Sequence, residues 1–372
     1  MKEIIRWLNE SAYINSLSSA CKMCAQGSKM VVLATGICPT SCYYCPLSFK
    51  KGGKDRIFAN EWELNNEEDT RKLISEGEFI DATGAGITGG DPLLVWQRVK
   101  KYILLLKDYF GSDFHIHLYT SGLKNADHLT DLVAAGLDEV RFHPQPEYWN
   151  NMNKSPIQEA IKHMLNTSTD VVIEIPSIPS KEKEILSLVE WANNFKLSWI
   201  NLNELEYSER NCELLYKKGY VTKNEISAAV KGSQETALKV LKIVQEKNLD
   251  IGVHYCSVSF KDGVQLKNRL LRRANNIAKE YEIITEEGTL LKGAIYTNSS
   301  LEQLVTKLRK EYEIPQNLVF LDEEKNRVEI AAWILEKIAE DLNNQGHECC
   351  LVEEYPTADR LEVERIPLPL SS

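Results

Sequence analysis

Between about residue 30 and residue 256 the chain alternates two patterns of apolar and polar positions. Short β-like runs predict strands over 30–36, 79–83, 114–120, 138–143, 170–176, 197–203 and 250–256. Between them, apolar residues recur at helical spacing near 66–76, 95–110, 125–135, 155–165, 181–195 and 233–247. Strands that alternate with helices predict βα units and a parallel sheet, which can curl into a full or partial barrel.

The faces of the strands say more. Parallel strands covered by helices should be apolar on both sides, and several here are not. Phe114, Ile116 and Leu118 share one face, while His115, His117 and Tyr119 share the other. Val140 and Phe142 oppose Glu139, Arg141 and His143. Glu174 interrupts an apolar run, Asn201 and Asn203 alternate with Ile200 and Leu202, and Ile251 and Val253 oppose His254 and Cys256. The apolar rows should pack under the helices, and the polar rows should line a barrel interior as a reaction chamber. The competing reading, an antiparallel sheet with one wet face, fits the intervening helices less well.

A basic amphipathic helix is predicted over 264–282. Leu266, Leu270, Leu271, Ala274, Ile277, Ala278 and Tyr281 form its stripe, with Lys267, Arg269, Arg272 and Arg273 largely off it. A solvated face is the plain reading, and contacts to RNA phosphates the other. Beyond it the pattern predicts strand 289–296, helix 299–312, strand 317–321, helix 328–344 and strands 348–354 and 360–366. The expected organisation is an N-terminal segment 1–29, a barrel 30–260, a connecting helix 261–284 and a small α+β domain 285–372.

Charge and composition narrow the function classes. A formal net charge of −10 disfavours nonspecific nucleic-acid binding, without excluding a local basic groove. No apolar run approaches the ~18 residues of a membrane span, and the first residues, MKEIIRWLNESAYINS, lack a cleavable apolar leader. A cytoplasmic protein without a membrane partner is expected, in a compartment where clustered cysteines bind metal or do redox work.

Five of the nine cysteines fall within positions 21–45. Cys38, Cys42 and Cys45 form C-x3-C-x2-C directly after the first predicted strand. Three thiolates on one loop can hold three irons of a [4Fe–4S] cluster and leave the fourth open to a ligand. A zinc site would instead favour paired C-x2-C knuckles.

This motif and its position resemble the radical S-adenosylmethionine (SAM) superfamily. The resemblance implies that Cys38, Cys42 and Cys45 are the cluster ligands, that SAM chelates the open iron, and that Tyr44 packs beside the cluster. Relatives often carry Gly-Gly-Glu-Pro after the second strand, where the backbone binds the SAM amino group. Gly89, Gly90, Asp91 and Pro92 match it with Asp in place of Glu. A side chain at either glycine is expected to obstruct SAM and spare the cluster. Thr120 and Ser121 resemble small polar runs near SAM in relatives. Arg141, His143, Glu174, Asn201 and Asn203, on the inferred inner face, are candidates for SAM or substrate, or form a buried network that satisfies only itself. The runs CKMCAQGSKMVVLATGICPTSCYYCPLS, TGAGITGGDPLL, NLNELEYSE, HYCSVSFKDGVQL and EEYPTADRLEVERIPL are similar to a mainly archaeal group related to pyruvate formate-lyase activating enzyme.

A second cluster of chemistry is Cys21 and Cys24, in C-x2-C, with His254 and Cys256 on one strand face. If first and last barrel strands approach, these four could hold zinc or a second iron–sulfur cluster. Alternatively Cys256 is a catalytic lumen cysteine, or the cysteines simply pack. The expectation is an α/β fold, a partial (β/α) barrel of the radical SAM type with a small C-terminal α+β domain. It would use a [4Fe–4S] cluster to cleave SAM reductively and abstract hydrogen from a substrate. That substrate is a protein, as for a glycyl-radical activase, a small molecule, or a tRNA. The electron donor would be a ferredoxin or flavodoxin. The rival is a non-enzymatic iron–sulfur or zinc scaffold.

Overall fold

Parallel strands need crossovers, and here helices supply them. The computed structural model describes residues 2–368. Its first unit runs to Leu266 and its second starts at Lys267. In the first unit a hairpin, β1 (Ile4–Arg6) and β2 (Ala12–Ile14), leads through α1 (Ser19–Ala25) into β3 (Lys29–Thr35). A second hairpin follows, β4 (Ile57–Ala59) and β5 (Trp62–Leu64). Then come α2 (Thr70–Phe79), β6 (Gly84–Gly89), α3 (Trp96–Phe110), β7 (His115–Thr120), α4 (Leu129–Ala134) and β8 (Glu139–Phe142). The series continues through α5 (Gln158–Met164), β9 (Asp170–Ser177), α6 (Glu182–Asn194), β10 (Trp199–Glu204), α7 (Cys212–Lys217), α8 (Ser233–Glu246) and β11 (Gly252–Cys256).

The sheet order is β1-β2-β11-β10-β9-β8-β7-β6-β3-β4-β5. From β3 round to β11 every neighbouring pair is parallel, and the hairpins add antiparallel edges at β3 and β11. The sheet does not close on itself, so the fold is a partial (β/α) barrel. The predicted apolar rows, including Ile116, Leu118, Val140, Phe142, Ile200, Leu202 and Val253, join one core with Val99, Ile103, Leu106, Ile185, Leu188, Val240 and Leu241 of the helices. Each such fully buried aliphatic side chain contributes about 1.5–3 kcal/mol.

Four differences from the sequence pattern have physical causes. The strand expected at 79–83 is instead the end of α2 and a turn through Asp81 at φ 45°, and β6 starts at Gly84. Glycine hides that strand because it packs closely: a Cβ on Gly84 would meet the His115 carbonyl oxygen at 2.3 Å, and one on Gly86 the His117 ring at 2.6 Å. Helix 328–344 divides into a strand at Arg327–Ile330 and a helix at Ala332–Asn344. Segment 1–29 is not separate, because β2 pairs with β11. The unit boundary after Leu266 falls within the helix expected over 264–282, whose regular α part is Lys267–Ile277.

The second unit contains β12 (Ile283–Ile284), β13 (Leu290–Tyr296), β14 (Val319–Asp322), β15 (Arg327–Ile330), β16 (Glu348–Glu354) and β17 (Glu362–Pro367). They form an antiparallel sheet in the order β14-β15-β13-β16-β17, with β12 on β13. Helices Leu301–Lys310 and Ala332–Asn344 supply Leu304, Leu308, Leu335 and Leu342 to a core with Ile295, Val328 and Ile330. Apart from these sits a buried ion network in which Lys292 Nζ meets Glu282, Glu329 and Glu354 at 3.1, 2.8 and 2.8 Å. Arg273 of the basic helix is buried, and its Nε donates to the Pro356 carbonyl. Among the described residues no helix is long and apolar enough to cross a membrane.

Candidate active site

All seven parallel strands end on one side, so the residues following them gather there. Cys38, Cys42 and Cys45 follow β3, with all three thiols free and half-buried. The Thr40 hydroxyl lies 3.1 Å from Cys38 Sγ and 3.7 Å from Cys42 Sγ, and Cys45 N donates to the Cys42 carbonyl at 3.1 Å. Three thiols on one irregular loop, free of disulfides and two of them turned about a shared hydroxyl, fit a three-cysteine cluster site. Burial pushes the Cys38 thiol up. Tyr44 is buried, and its hydroxyl meets His143 Nε2 at 2.9 Å. His143 Nδ1 stands 2.8 Å from the Glu174 carbonyl, which can only accept. The proton therefore sits on Nδ1, and Nε2 accepts from Tyr44.

Gly89 and Gly90 answer to the cysteine loop directly. Gly90 N donates to the Thr35 carbonyl and Asp91 N to the Ile37 carbonyl, both at 2.8 Å. A Cβ on Gly90 would meet the Ile37 oxygen at 2.2 Å, and one on Gly89 the Thr35 oxygen at 2.0 Å. These glycines thus make room for the chain's own backbone just before Cys38. Asp91 is fully buried and caps the turn after β6 by accepting from Leu93 N at 3.1 Å. It also accepts from Thr120 Oγ1 at 2.8 Å, from Ser121 N at 3.1 Å and from the Ser121 hydroxyl. Burial raises its carboxyl above the ordinary range, with these donors pulling the other way. Asp91, Thr120 and Ser121 therefore brace the ends of β6 and β7 against each other.

The polar rows converge inside the sheet. Arg141 is buried; it donates to Glu139 at 2.5 Å, Glu174 at 2.6 Å and Ser18 at 3.1 Å. Burial opposes its charge, but Glu139, Tyr119 and their neighbours hold its pKa well above the usual value. Glu174 accepts from Asn201 at 3.1 Å and Asn203 at 2.8 Å. Burial raises its carboxyl, and Arg141 with these amides brings it below normal. Arg141, Glu174, Asn201 and Asn203 thus bond to one another, and His143 bonds to the Glu174 backbone. Deeper in the sheet, Lys29 Nζ lies 2.7 Å from His115 Nδ1, and burial lowers its pKa to about 7.

The C-x2-C pair lies on α1, at the opposite ends of the strands from the cysteine loop. Cys21 is buried against Arg141 Nη2 at 3.6 Å and Asn201 Nδ2 at 3.5 Å. Burial alone would raise its thiol, but Arg141 and His254 bring it down to about 7. Burial and the neighbouring Cys21 push Cys24 up to about 11. Burial raises Cys256 as well, and Cys21 and Cys24 contribute to that rise. Cys21, Cys24, His254 and Cys256 are therefore within electrostatic range of one another. Among the described residues no three His, Cys, Asp or Glu side chains are placed to hold one metal ion.

Asn211 stands outside the candidates that the sequence suggests. It is buried, and its Nδ2 donates to the Tyr44 carbonyl at 3.2 Å and the Glu206 carbonyl at 3.0 Å. This pins the segment after β10 onto the cysteine loop. A lone asparagine beside Arg210 carries no local signal of such a tie.

Residues 32–192 match the family described as Radical SAM superfamily, and residues 288–368 match Domain of unknown function (DUF8061). A protein of Methanocaldococcus jannaschii named "Putative glycyl-radical enzyme activating enzyme MJ0021" is 40% identical over 381 residues, which span 99% of this chain and 96% of that protein. Two solved structures are more distant. Streptococcus suis SuiB bound to S-adenosylmethionine is 9% identical with a TM-score of 0.43, over 62% of this chain and 50% of that one. The radical S-adenosylmethionine methyltransferase TsrM from Kitasatospora setae is 13% identical with a TM-score of 0.35, over 66% and 52%. The chain spans about half the length of these solved structures.

Proposed function

This chain belongs to the radical SAM superfamily, and from the name of its Methanocaldococcus relative we propose that it takes a hydrogen atom from a glycyl residue of a partner protein. It is a radical SAM enzyme, and the cofactors of that family are a [4Fe–4S] cluster and SAM. When bound, they supply an electron that cleaves SAM to methionine and a 5′-deoxyadenosyl radical, the hydrogen-abstracting species. Cys38, Cys42 and Cys45 would hold the cluster, and SAM would lie at the ends of β6 and β7 beside Gly89, Gly90, Thr120 and Ser121.

The observation that carries this reading is the join between the Gly89–Asp91 backbone and residues 35–37, which ties the proposed SAM strand to the proposed cluster loop. Asp91 orients the β7 end, Tyr44 and His143 fix the loop's inner wall with the proton on Nδ1, and Asn211 holds the covering segment in place. The name of the Methanocaldococcus relative supports a protein substrate. A ferredoxin or flavodoxin would bring the electron.

The test is anaerobic reconstitution with iron and sulfide, followed by dithionite and SAM. One cluster of about four irons and release of 5′-deoxyadenosine are expected, both lost when Cys38, Cys42 and Cys45 are all replaced by Ala. Undiminished release by that triple variant would sink the proposal.

A further inference from the structure

The proposed function leaves the cysteines of α1 unused. We propose that Cys21 and Cys24 form a peroxide-reactive dithiol on the far side of the sheet interior from the cysteine loop, closing to a disulfide within α1. The first argument is placement. Positions three apart on an α-helix share a face and lie roughly 5 Å apart at Cα, inside the ~4.4–6.8 Å that a disulfide spans. Helix geometry therefore lets the two sulfurs meet without unwinding neighbouring strands. The second argument is chemistry. A packing cysteine has no need of a guanidinium, yet the Cys21 sulfur has Arg141 Nη2 at 3.6 Å and Asn201 Nδ2 at 3.5 Å. The guanidinium favours the thiolate, the form that reacts with peroxide, while the Asn201 amide can either donate to the sulfur or accept from the thiol at 3.7 Å. The third is access. Cys24 is half-buried, and Cys21, at 5% exposure, suits an oxidant little larger than water in preference to a bulky disulfide.

The steps balance with a peroxide as oxidant. The Cys21 thiolate attacks one peroxide oxygen, the O–O bond breaks, and hydroxide leaves and takes up a proton as water. Cys21 is then a sulfenic acid. The Cys24 thiol gives up its proton as its sulfur attacks the Cys21 sulfur. The S–O bond breaks, and hydroxide leaves with that proton as the second water. Two thiols lose two electrons in all, and one peroxide gains them. Closure takes the negative sulfur away from Arg141, which also holds Glu174 and through it Asn201 and Asn203. Oxidation at α1 therefore reaches the polar row of the chamber.

Trypsin offers a direct readout, because Lys22 separates the two cysteines. The reconstituted protein is treated anaerobically with limiting hydrogen peroxide, alkylated and digested. The expected product joins peptide 7–22 to peptide 23–29 and is two hydrogens lighter than the pair together. It should be absent after reduction. In Cys24→Ser it should be lost, with Cys21 trapped by dimedone as the sulfenic acid. If that variant does not fold, the wild-type peptide map decides alone. Cys21 and Cys24 that alkylate equally before and after peroxide would overturn the proposal. So would one equivalent of zinc or iron that stays on them after Cys38, Cys42 and Cys45 are replaced by Ala.

Discussion

Gly90→Ala separates two reasons for a glycine next to Asp91. If the residue is glycine only so that SAM can approach, alanine should weaken SAM binding and leave iron untouched. The structure points elsewhere. An added Cβ meets the Ile37 oxygen at 2.2 Å, the Ile37 carbonyl carbon at 2.5 Å and the Gly36 oxygen at 2.8 Å. Gly90 is not among the residues with positive φ, so the penalty is contact and not backbone strain. Ordinary contact starts at 3.4 Å, so the two segments must part by about 1.2 Å, which breaks hydrogen bonds now at 2.8 Å. Both flanking bonds, Gly90 N to Thr35 and Asp91 N to Ile37, are at risk. Gly90 is half-buried and Ile37 exposed, so losing the two bonds costs roughly 1–3 kcal/mol. That corresponds to a melting temperature lower by roughly 3–10 °C for a unit of this size. Because Ile37 adjoins Cys38, the variant should keep roughly half or less of the ~4 irons of one cluster. The assays are iron per chain after anaerobic reconstitution, cluster absorbance and thermal melting. A Gly90→Ala protein with full iron and an unchanged melt would refute the steric reasoning, and selective loss of SAM binding would restore the simpler one.

Two further outcomes follow from buried charges. Lys29 has a pKa of about 7 against an ordinary 10.5, so between these values the unfolded chain binds more protons and stability rises with pH, by up to ~1.4 kcal/mol per pH unit. Lys29→Met should remove that rise; urea midpoints for the two proteins that stay parallel from pH 7 to 10 would contradict it. In the second unit, Lys292→Met removes a cation that Glu282, Glu329 and Glu354 share, while Arg360 still pairs with Glu282 and Arg327 with Glu329 and Glu354. Because each carboxylate keeps another cation, the expected cost is ~1–3 kcal/mol, below the ~3–5 kcal/mol of a buried charge left unpaired, and a melt indistinguishable from wild type would show the Lys292 contacts to carry no net stability.

The cysteine loop and the two-faced strands are legible in the residue order because both are local. Cys38, Cys42 and Cys45 fall within eight consecutive residues, and period-2 alternation follows from strand geometry wherever a strand forms. Thus His117, Arg141, Glu174 and Asn201 can be assigned to an inner row before any partner is known. The strand at Gly84–Gly89 is not legible, since its glycines are set by His115 and His117 on the neighbouring strand. In the residue order Gly90 reads as space for a ligand, whereas its neighbour is the backbone of residues 36 and 37. Asn211 and Tyr44 are 167 positions apart, and Cys21 and Arg141 are 120 apart. Sequence by itself determined which residue types could do chemistry and which side of a strand they occupy, because those depend on neighbours along the chain. Only the tertiary structure decided that Asp91 braces β7, that α1 lies opposite the cysteine loop and that Cys21 rests on Arg141, because each depends on where distant segments pack.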